Sequence, residues 1–188
     1  MNVNSSCYGL FVDINDTIYC SMPDHHQVVK RSLNDAVMTS NRIAAGTGIY
    51  GSASNQLSGP MGIFVDVKLN LYVADYYNDR VHLFQSGESN GHTVAGSKSL
   101  NPIISLRWPS GIILDAEKYL FIVNNNNHRI VGSGLNGFRC LVGCYASDSQ
   151  PNRLDEPFSF SFDCYGNMYV SETSNHRLQK FKYLRVWV

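Results

Sequence analysis

Residues 124–129 read Asn124-Asn125-Asn126-Asn127-His128-Arg129, a polar run set between the apolar stretches LFIV (120–123) and IV (130–131). Taken alone it resembles a low-complexity linker. It is instead one copy of a recurring element. The triplet Asn-His-Arg returns at 175–177, Asn-Asp-Arg stands at 78–80 and His-His-Gln at 25–27, and each is followed by Val28, Val81, Ile130 or Leu178.

Everything around these triplets recurs in register. Upstream, Asp13, Asp66, Asp115 and Asp163 close the apolar runs GLFVD, GIFVD, GIILD and FSFSFD, at a spacing of roughly fifty residues. A second run follows each aspartate: IYCS (18–21), LYVA (71–74), LFIV (120–123) and MYVS (168–171), with an aromatic always second. Downstream, RIAAG (42–46), TVAG (93–96) and RCLVG (139–143) form a fourth run ending in glycine. Pro60-Met61-Gly62 and Pro109-Ser110-Gly111 introduce the next copies, and Pro157 the last.

Short runs rich in Val, Ile, Phe and Tyr, bounded by Gly, Pro, Asn and Asp, are strand signals. The first run of each copy is apolar nearly throughout, which predicts a buried strand. The third alternates (VHLFQ, LQKFK), which predicts a strand nearer solvent. Four short strands per repeat at this period predict the blades of a β-propeller, and the fold class is all-β. The blades span approximately 7–46, 60–96, 109–143 and 157–188 of a single domain, four strands each.

The GIxxD, LYVAD and NHR elements resemble the NHL-repeat family, with good matches in copies two to four and a degraded first copy, where Met22 replaces the usual acid. The resemblance implies a propeller, usually of six blades. Four copies, the last without a recognisable TVAG strand before FKYLRVWV ends it, predict an incomplete or open arc with exposed ends that further blades or a second copy would cover.

Bulk properties fit. Fifteen basic residues balance fifteen acidic ones, charged residues are 16% and hydrophobic ones 44%; nucleic acid and anionic membrane are not expected partners. No apolar run is long enough for a spanning helix, and MNVNSSCYGL lacks the features of a secretory leader. The compartment stays open.

Each residue with tempting chemistry has an ordinary structural reading. The four aspartates accept turn amides rather than ring a cation. Asp75, Asn124 and Glu172 begin the turn between the second and third strands, where Arg80, Arg129 and Arg177 pair across it; Met22 predicts a looser first blade. His26, His128 and His176 fall on successive blades, too far apart to share a metal, so no metal and no cofactor is expected. Five cysteines without a CxxC pair suggest no disulfide framework; Cys20 and Cys164 read as small core residues, while Cys140 and Cys144 are either a local disulfide or buried thiols. Asn4-Ser5-Ser6 and Asn15-Asp16-Thr17 fit the glycosylation pattern.

On a propeller, the turns between strands b and c and the loops between blades share one face, and such loops on a rigid scaffold carry function. That face collects His25, Tyr76, Tyr77, Asn125, Asn126, Thr173 and Ser174 from the turns, with Tyr50, Arg107 and Trp108 from the loops. These residue types predict a non-enzymatic module recognising a protein or peptide. Two further uses come with the resemblance: a metal-bearing channel as in peptidyl-hydroxyglycine lyases, disfavoured by the lack of His on the inner strands, and RNA binding, disfavoured by the neutral loops.

Overall fold

The computed structural model describes residues 5–34, 41–96, 99, 104–144 and 153–182. They form four antiparallel sheets arranged as propeller blades, each a simple meander. Blade 1 holds β1 (Leu10–Val12), β2 (Thr17–Met22), β3 (Gln27–Ser32) and β4 (Arg42–Ala45). Blade 2 holds β5 (Pro60–Val65), β6 (Leu71–Asp75), β7 (Arg80–Phe84) and β8 (Gly91–Gly96). Blade 3 holds β9 (Pro109–Leu114), β10 (Leu120–Asn124), β11 (Arg129–Gly132) and β12 (Arg139–Val142), and blade 4 holds β13 (Pro157–Phe162), β14 (Asn167–Glu172) and β15 (Arg177–Lys182). The end of the FKYLRVWV segment, from residue 183 on, and Asn4 of the first glycosylation motif lie outside the described residues.

The aspartates do what turn chemistry predicts. Asp13 Oδ1 accepts from the amides of Asn15 (2.9 Å) and Thr17 (3.0 Å), and Asp66, Asp115 and Asp163 repeat the pattern between their own a and b strands. The second carboxylate oxygen of Asp13 and Asp163 also accepts from the hydroxyl of Tyr19 or Tyr169. Each of these hairpins is thus closed by its own side chain.

Apolar residues gather in clusters between consecutive blades. Val28, Leu57, Val73 and Phe84 fill the first interface, Val81, Leu106, Ile122 and Val131 the second, and Phe121, Leu154, Met168 and Val170 the third. Because β7 is clamped between two such interfaces, it is buried at every position. The alternation expected of all third strands holds only for β15, in the last blade. The end blades show apolar side chains outward: Leu10 is 62% exposed on β1 and Leu178 68% exposed on β15. Among the described residues the blades therefore form an arc in which only neighbours pack.

The innermost strands approach closely at the Pro-x-Gly signal, where the pairing of strands a and b is also bulged. A Cβ built on Gly62 would stand 2.5 Å from the Ser110 carbonyl oxygen and 2.9 Å from Gly111 Cα. Gly9 meets Met61 and Gly62 in the same way one blade earlier. Ser110 Oγ bridges onward, donating to the Phe158 carbonyl at 2.7 Å. The strands line a cavity of about 400 Å³, bounded by Phe11, Ile63, Phe64, Ile112 and Phe160 among others.

The cysteine expectations need correction. Cys7 and Cys20 are disulfide-bonded, with Cα atoms 5.4 Å apart, and Cys140 and Cys144 are bonded across 5.7 Å. Cys20 is buried as expected, but in a bond that ties the segment before β1 to β2, beside Met22 and Val29. Cys164 is an exposed free thiol at a hairpin tip, not a core residue.

Gly62→Ala should lower stability by about 2–3 kcal/mol, since backbone rather than a movable side chain blocks the new methyl. Gly87→Ala, whose Cβ meets nothing within 4 Å but whose φ is +86°, should lose only about 1 kcal/mol. Denaturant midpoints of the two variants measure the difference; equal losses would contradict the close approach of inner strands.

Candidate functional site

In blades 1 to 3 the b–c turn is a single 3₁₀ turn (Pro23–His25, Tyr76–Asn78, Asn125–Asn127), followed by a residue in the left-handed region: His26 (φ 49°), Asp79 (φ 53°) and His128 (φ 51°). His176 (φ 48°) holds the same position in blade 4. Asn, Asp and His tolerate this conformation better than other non-glycine residues, which explains the middle residue of the repeated triplet.

These side chains reach forward to the next blade. His26 Nδ1 accepts from the Gly59 amide (3.2 Å), Asp79 Oδ1 from the Trp108 amide (2.9 Å), and His128 Nδ1 from the Glu156 amide (3.1 Å). Asp155 Oδ1 lies 3.0 Å from the same His128 nitrogen, a contact that becomes an ion pair only when the ring is protonated. Gly59, Trp108 and Glu156 are themselves left-handed, with φ of 62°, 53° and 44°. Each immediately precedes the proline that starts its blade. A left-handed turn end thus clasps a left-handed blade entry, three times over.

Beneath the face, polar networks tie the turns to the inter-blade loops. Asp75 is fully buried and accepts from the Ser58 amide (2.6 Å), Asn78 (2.8 Å) and Arg80 Nε (2.7 Å). Burial raises its carboxyl above the ordinary value, against the pull of those three donors. The Arg80 guanidinium also caps the carbonyls of Ser52, Ala53 and Gln56. In blade 4, Glu172 accepts from Arg177 Nε (2.7 Å), Asn175 Nδ2 (2.7 Å), Gln179 and the Asp155 amide. Burial would raise Glu172, yet these bonds outweigh it and hold the carboxyl below its ordinary range.

Blade 3 differs. Asn124 accepts from the Arg107 amide (2.7 Å) and donates to the Ser105 carbonyl (2.9 Å), as Arg129 does through a terminal nitrogen (3.0 Å). Arg129 Nε is buried without a partner, where Arg80 and Arg177 meet a carboxylate. The expected pairing with arginine therefore joins carboxylate to guanidinium in blades 2 and 4 and fails in blade 3. In blade 1 Met22 packs as a buried apolar residue, and the turn keeps the geometry of the others without an acid.

The structure brings most of the expected face residues to one surface. Tyr77 is 61% exposed and Trp108 38%. The Tyr76 and Tyr77 rings meet edge to face at 5.0 Å, and Tyr76 stacks on Trp108 at 5.6 Å with 21° between planes. Tyr50 is exposed and lies edge-on to His26 at 5.9 Å. Arg107, His25, Thr173 and Ser174 are exposed, and Asn126 is half-buried. Asn125 is placed differently: it is buried and donates to the Pro157 carbonyl at 2.9 Å, so it fastens blade 4 rather than facing solvent.

His82, which the repeat pattern did not single out, braces the loop under this face. It is buried, donates from Nε2 to the Ser54 carbonyl (2.9 Å) and packs edge-on against Phe84. Burial lowers its pKa from 6.5 to about 4. Among the described residues no group of His, Cys, Asp and Glu is arranged to hold a metal ion.

Neither a protein-family model nor a curated protein matches the chain. Solved structures do match, at the level of fold. A catalytically inactive form of virginiamycin B lyase from Staphylococcus aureus, in complex with quinupristin, superposes with a TM-score of 0.59 at 12% identity, over 99% of this chain and 59% of that one. An auxiliary nutrient binding protein from Bacteroides thetaiotaomicron gives 0.67 at 13% identity, over 93% and 47%. A chain of the nidogen/laminin complex gives 0.58 at 16% identity, over 93% and 74%. The chain thus spans about half to three-fifths of the lyase and nutrient-binding structures.

Two outcomes test the loop-bracing networks. Asn124→Asp should raise stability by about 1 kcal/mol at neutral pH, because Arg129 Nε gains a carboxylate while one donor to Ser105 is lost; a thermal melt reads it, and Arg129→Gln should abolish the gain. The pKa of His82 is lower folded than unfolded, so the unfolded chain binds the extra proton. Stability is complete above pH 6.5 and falls as pH drops toward 4, by up to roughly 3 kcal/mol. His82→Gln, which keeps a donor for Ser54, should flatten that part of the pH profile.

Proposed function

We propose that this chain is an NHL-type propeller acting as a non-enzymatic binding module, which recognises a protein or peptide through the face built by the b–c turns and blade entries. The observation that carries this reading is the aromatic set of exposed Tyr77 and Trp108 with the half-buried Tyr76 between them, mounted on backbone that the clasp fixes. Tyr and Trp lose little conformational freedom on binding and are frequent interface anchors. Tyr50 extends the aromatic surface on the side of blade 1.

Two further features support the reading. The nidogen structure that shares this fold was solved in complex with laminin, which is consistent with a propeller face serving as a docking surface. The disulfides Cys7–Cys20 and Cys140–Cys144 suit a chain that matures in an oxidising compartment, where such recognition modules work between secreted partners.

Panning a displayed library of random dodecapeptides against the chain should recover binders. Their affinity should fall about tenfold or more when Tyr76, Tyr77 and Trp108 are together replaced by Ala, with the cooperative unfolding transition retained. Binders unaffected by the triple replacement would place recognition elsewhere, and recovery of none would overturn the proposal.

A further inference from the structure

Gly59, Trp108 and Glu156 occupy one position on three consecutive blades, and all three have left-handed backbone. Glycine adopts that conformation without steric conflict, whereas a bulky side chain does so only where its surroundings hold it. At Gly59 a Cβ would stand 2.5 Å from the Tyr77 ring, so a side chain there would require that exposed ring to move. In blades 3 and 4 the residue aligned with Tyr77 is the smaller Asn126 or Ser174, and the entry position carries an indole and a carboxylate instead. A side chain thus stands where backbone geometry favours glycine, in the two blades whose aligned turn residue is small.

Both side chains lie on the candidate face, at the same position of consecutive blades. One face of the Trp108 ring lies on Tyr76, and the residue remains 38% exposed. Glu156 is exposed, its Oε2 accepts from the Ser174 hydroxyl (2.7 Å), and its backbone carbonyl accepts from the Thr173 hydroxyl (2.9 Å). Its Oε1 makes no hydrogen bond among the described residues. Glu156 also lies near enough to Tyr76 to help raise the phenol pKa, after burial and alongside Tyr77. The opposing charge on this part of the face is the exposed Arg107, next in sequence to Trp108.

The geometry points to a cation-binding subsite formed by Trp108, Tyr76, Tyr77 and Glu156, which takes the Lys or Arg side chain of an extended peptide. The negative face of an aromatic ring attracts a cation, most strongly for tryptophan. A carboxylate already oriented by a hydroxyl adds charge at small entropic cost. This inference rests on the binding-module reading and narrows its partner to one bearing a basic residue.

The test titrates the full ¹⁵N-labelled chain with three acetylated, amidated nonapeptides of repeating Gly-Ser-X, where X is Lys, norleucine or Glu. The Lys peptide should bind best and shift the Trp108 indole resonance. Glu156→Gln, which keeps a partner for Ser174, should weaken it roughly 3- to 10-fold, as should Trp108→Gly, which relieves the left-handed backbone; Arg107→Gln should tighten it. Equal binding of the Lys and norleucine peptides, a preference for the Glu peptide, or no effect of Glu156→Gln overturns the subsite. If displayed dodecapeptides still bind through the tyrosines, the module reading survives that failure; if neither set binds, both fall.

Discussion

Everything on the candidate face depends on a single backbone event, the left-handed residue that ends each b–c turn. It reverses the chain tightly enough for strands b and c to pair up to their ends, as Asp75 with Arg80 and Asn124 with Arg129. It also frees the side chain of that residue from its own blade. His26, Asp79 and His128 spend that freedom on the amide of the next blade's entry residue. An amide at this point has no partner in its own sheet, and burying it unpaired would be costly. The clasp satisfies the amide and sets the position of each blade relative to the one before it.

The second constraint is close approach at the axis. Gly9, Gly62 and Gly111, at the start of the first three inner strands, let the following strand approach closely, and Ser21 and Ser110 convert that closeness into hydrogen bonds to the carbonyls of Met61 and Phe158. Blades are thus joined at the outer end by clasps, at the axis by glycine and serine, and between by apolar cores. All of these contacts run between sequence neighbours, so cohesion is nearly one-dimensional, as in other repeat folds. Such an arc has two ends, and here Leu10, Val12 and Leu178 lie exposed on them. Cys7–Cys20 reinforces the first end, where no preceding blade contributes packing to the described residues.

Much of this was legible in the residues themselves. The repeated aspartates, the Pro-x-Gly entries and the Asn-x-Arg triplets each specify a local geometry through short-range chemistry, so spacing alone located the strands. The Arg80–Asp75 and Arg177–Glu172 pairs were legible for the same reason. Features that depend on another blade were not. Asn125 reads as a free turn residue until Pro157 of the next blade is brought above it. Strand β7 alternates in composition, yet both of its faces are covered by neighbours. Cys7 precedes any repeat element, so nothing in the pattern paired it with Cys20. The orphaned Arg129 Nε follows from a one-atom difference, amide for carboxylate, whose consequence appears only once burial is known.

The face itself shows how a fixed scaffold accommodates variable surface chemistry. The entry position and the second turn residue vary together: Gly59 with Tyr77, Trp108 with Asn126, Glu156 with Ser174. The Tyr77 ring lies over a glycine, while the smaller Asn126 and Ser174 accompany a large or charged entry residue. Tyr77 and Asn126 both donate their amides to the preceding entry segment, at Ser58 and Arg107, and in blade 4 Thr173 donates to Glu156, so a backbone bond joins turn and entry whichever side chain is large. Blade geometry and surface chemistry are therefore separable. Exchanging side chains within one such pair alters what the face can bind while the clasp, a bond to a backbone amide, is left unchanged.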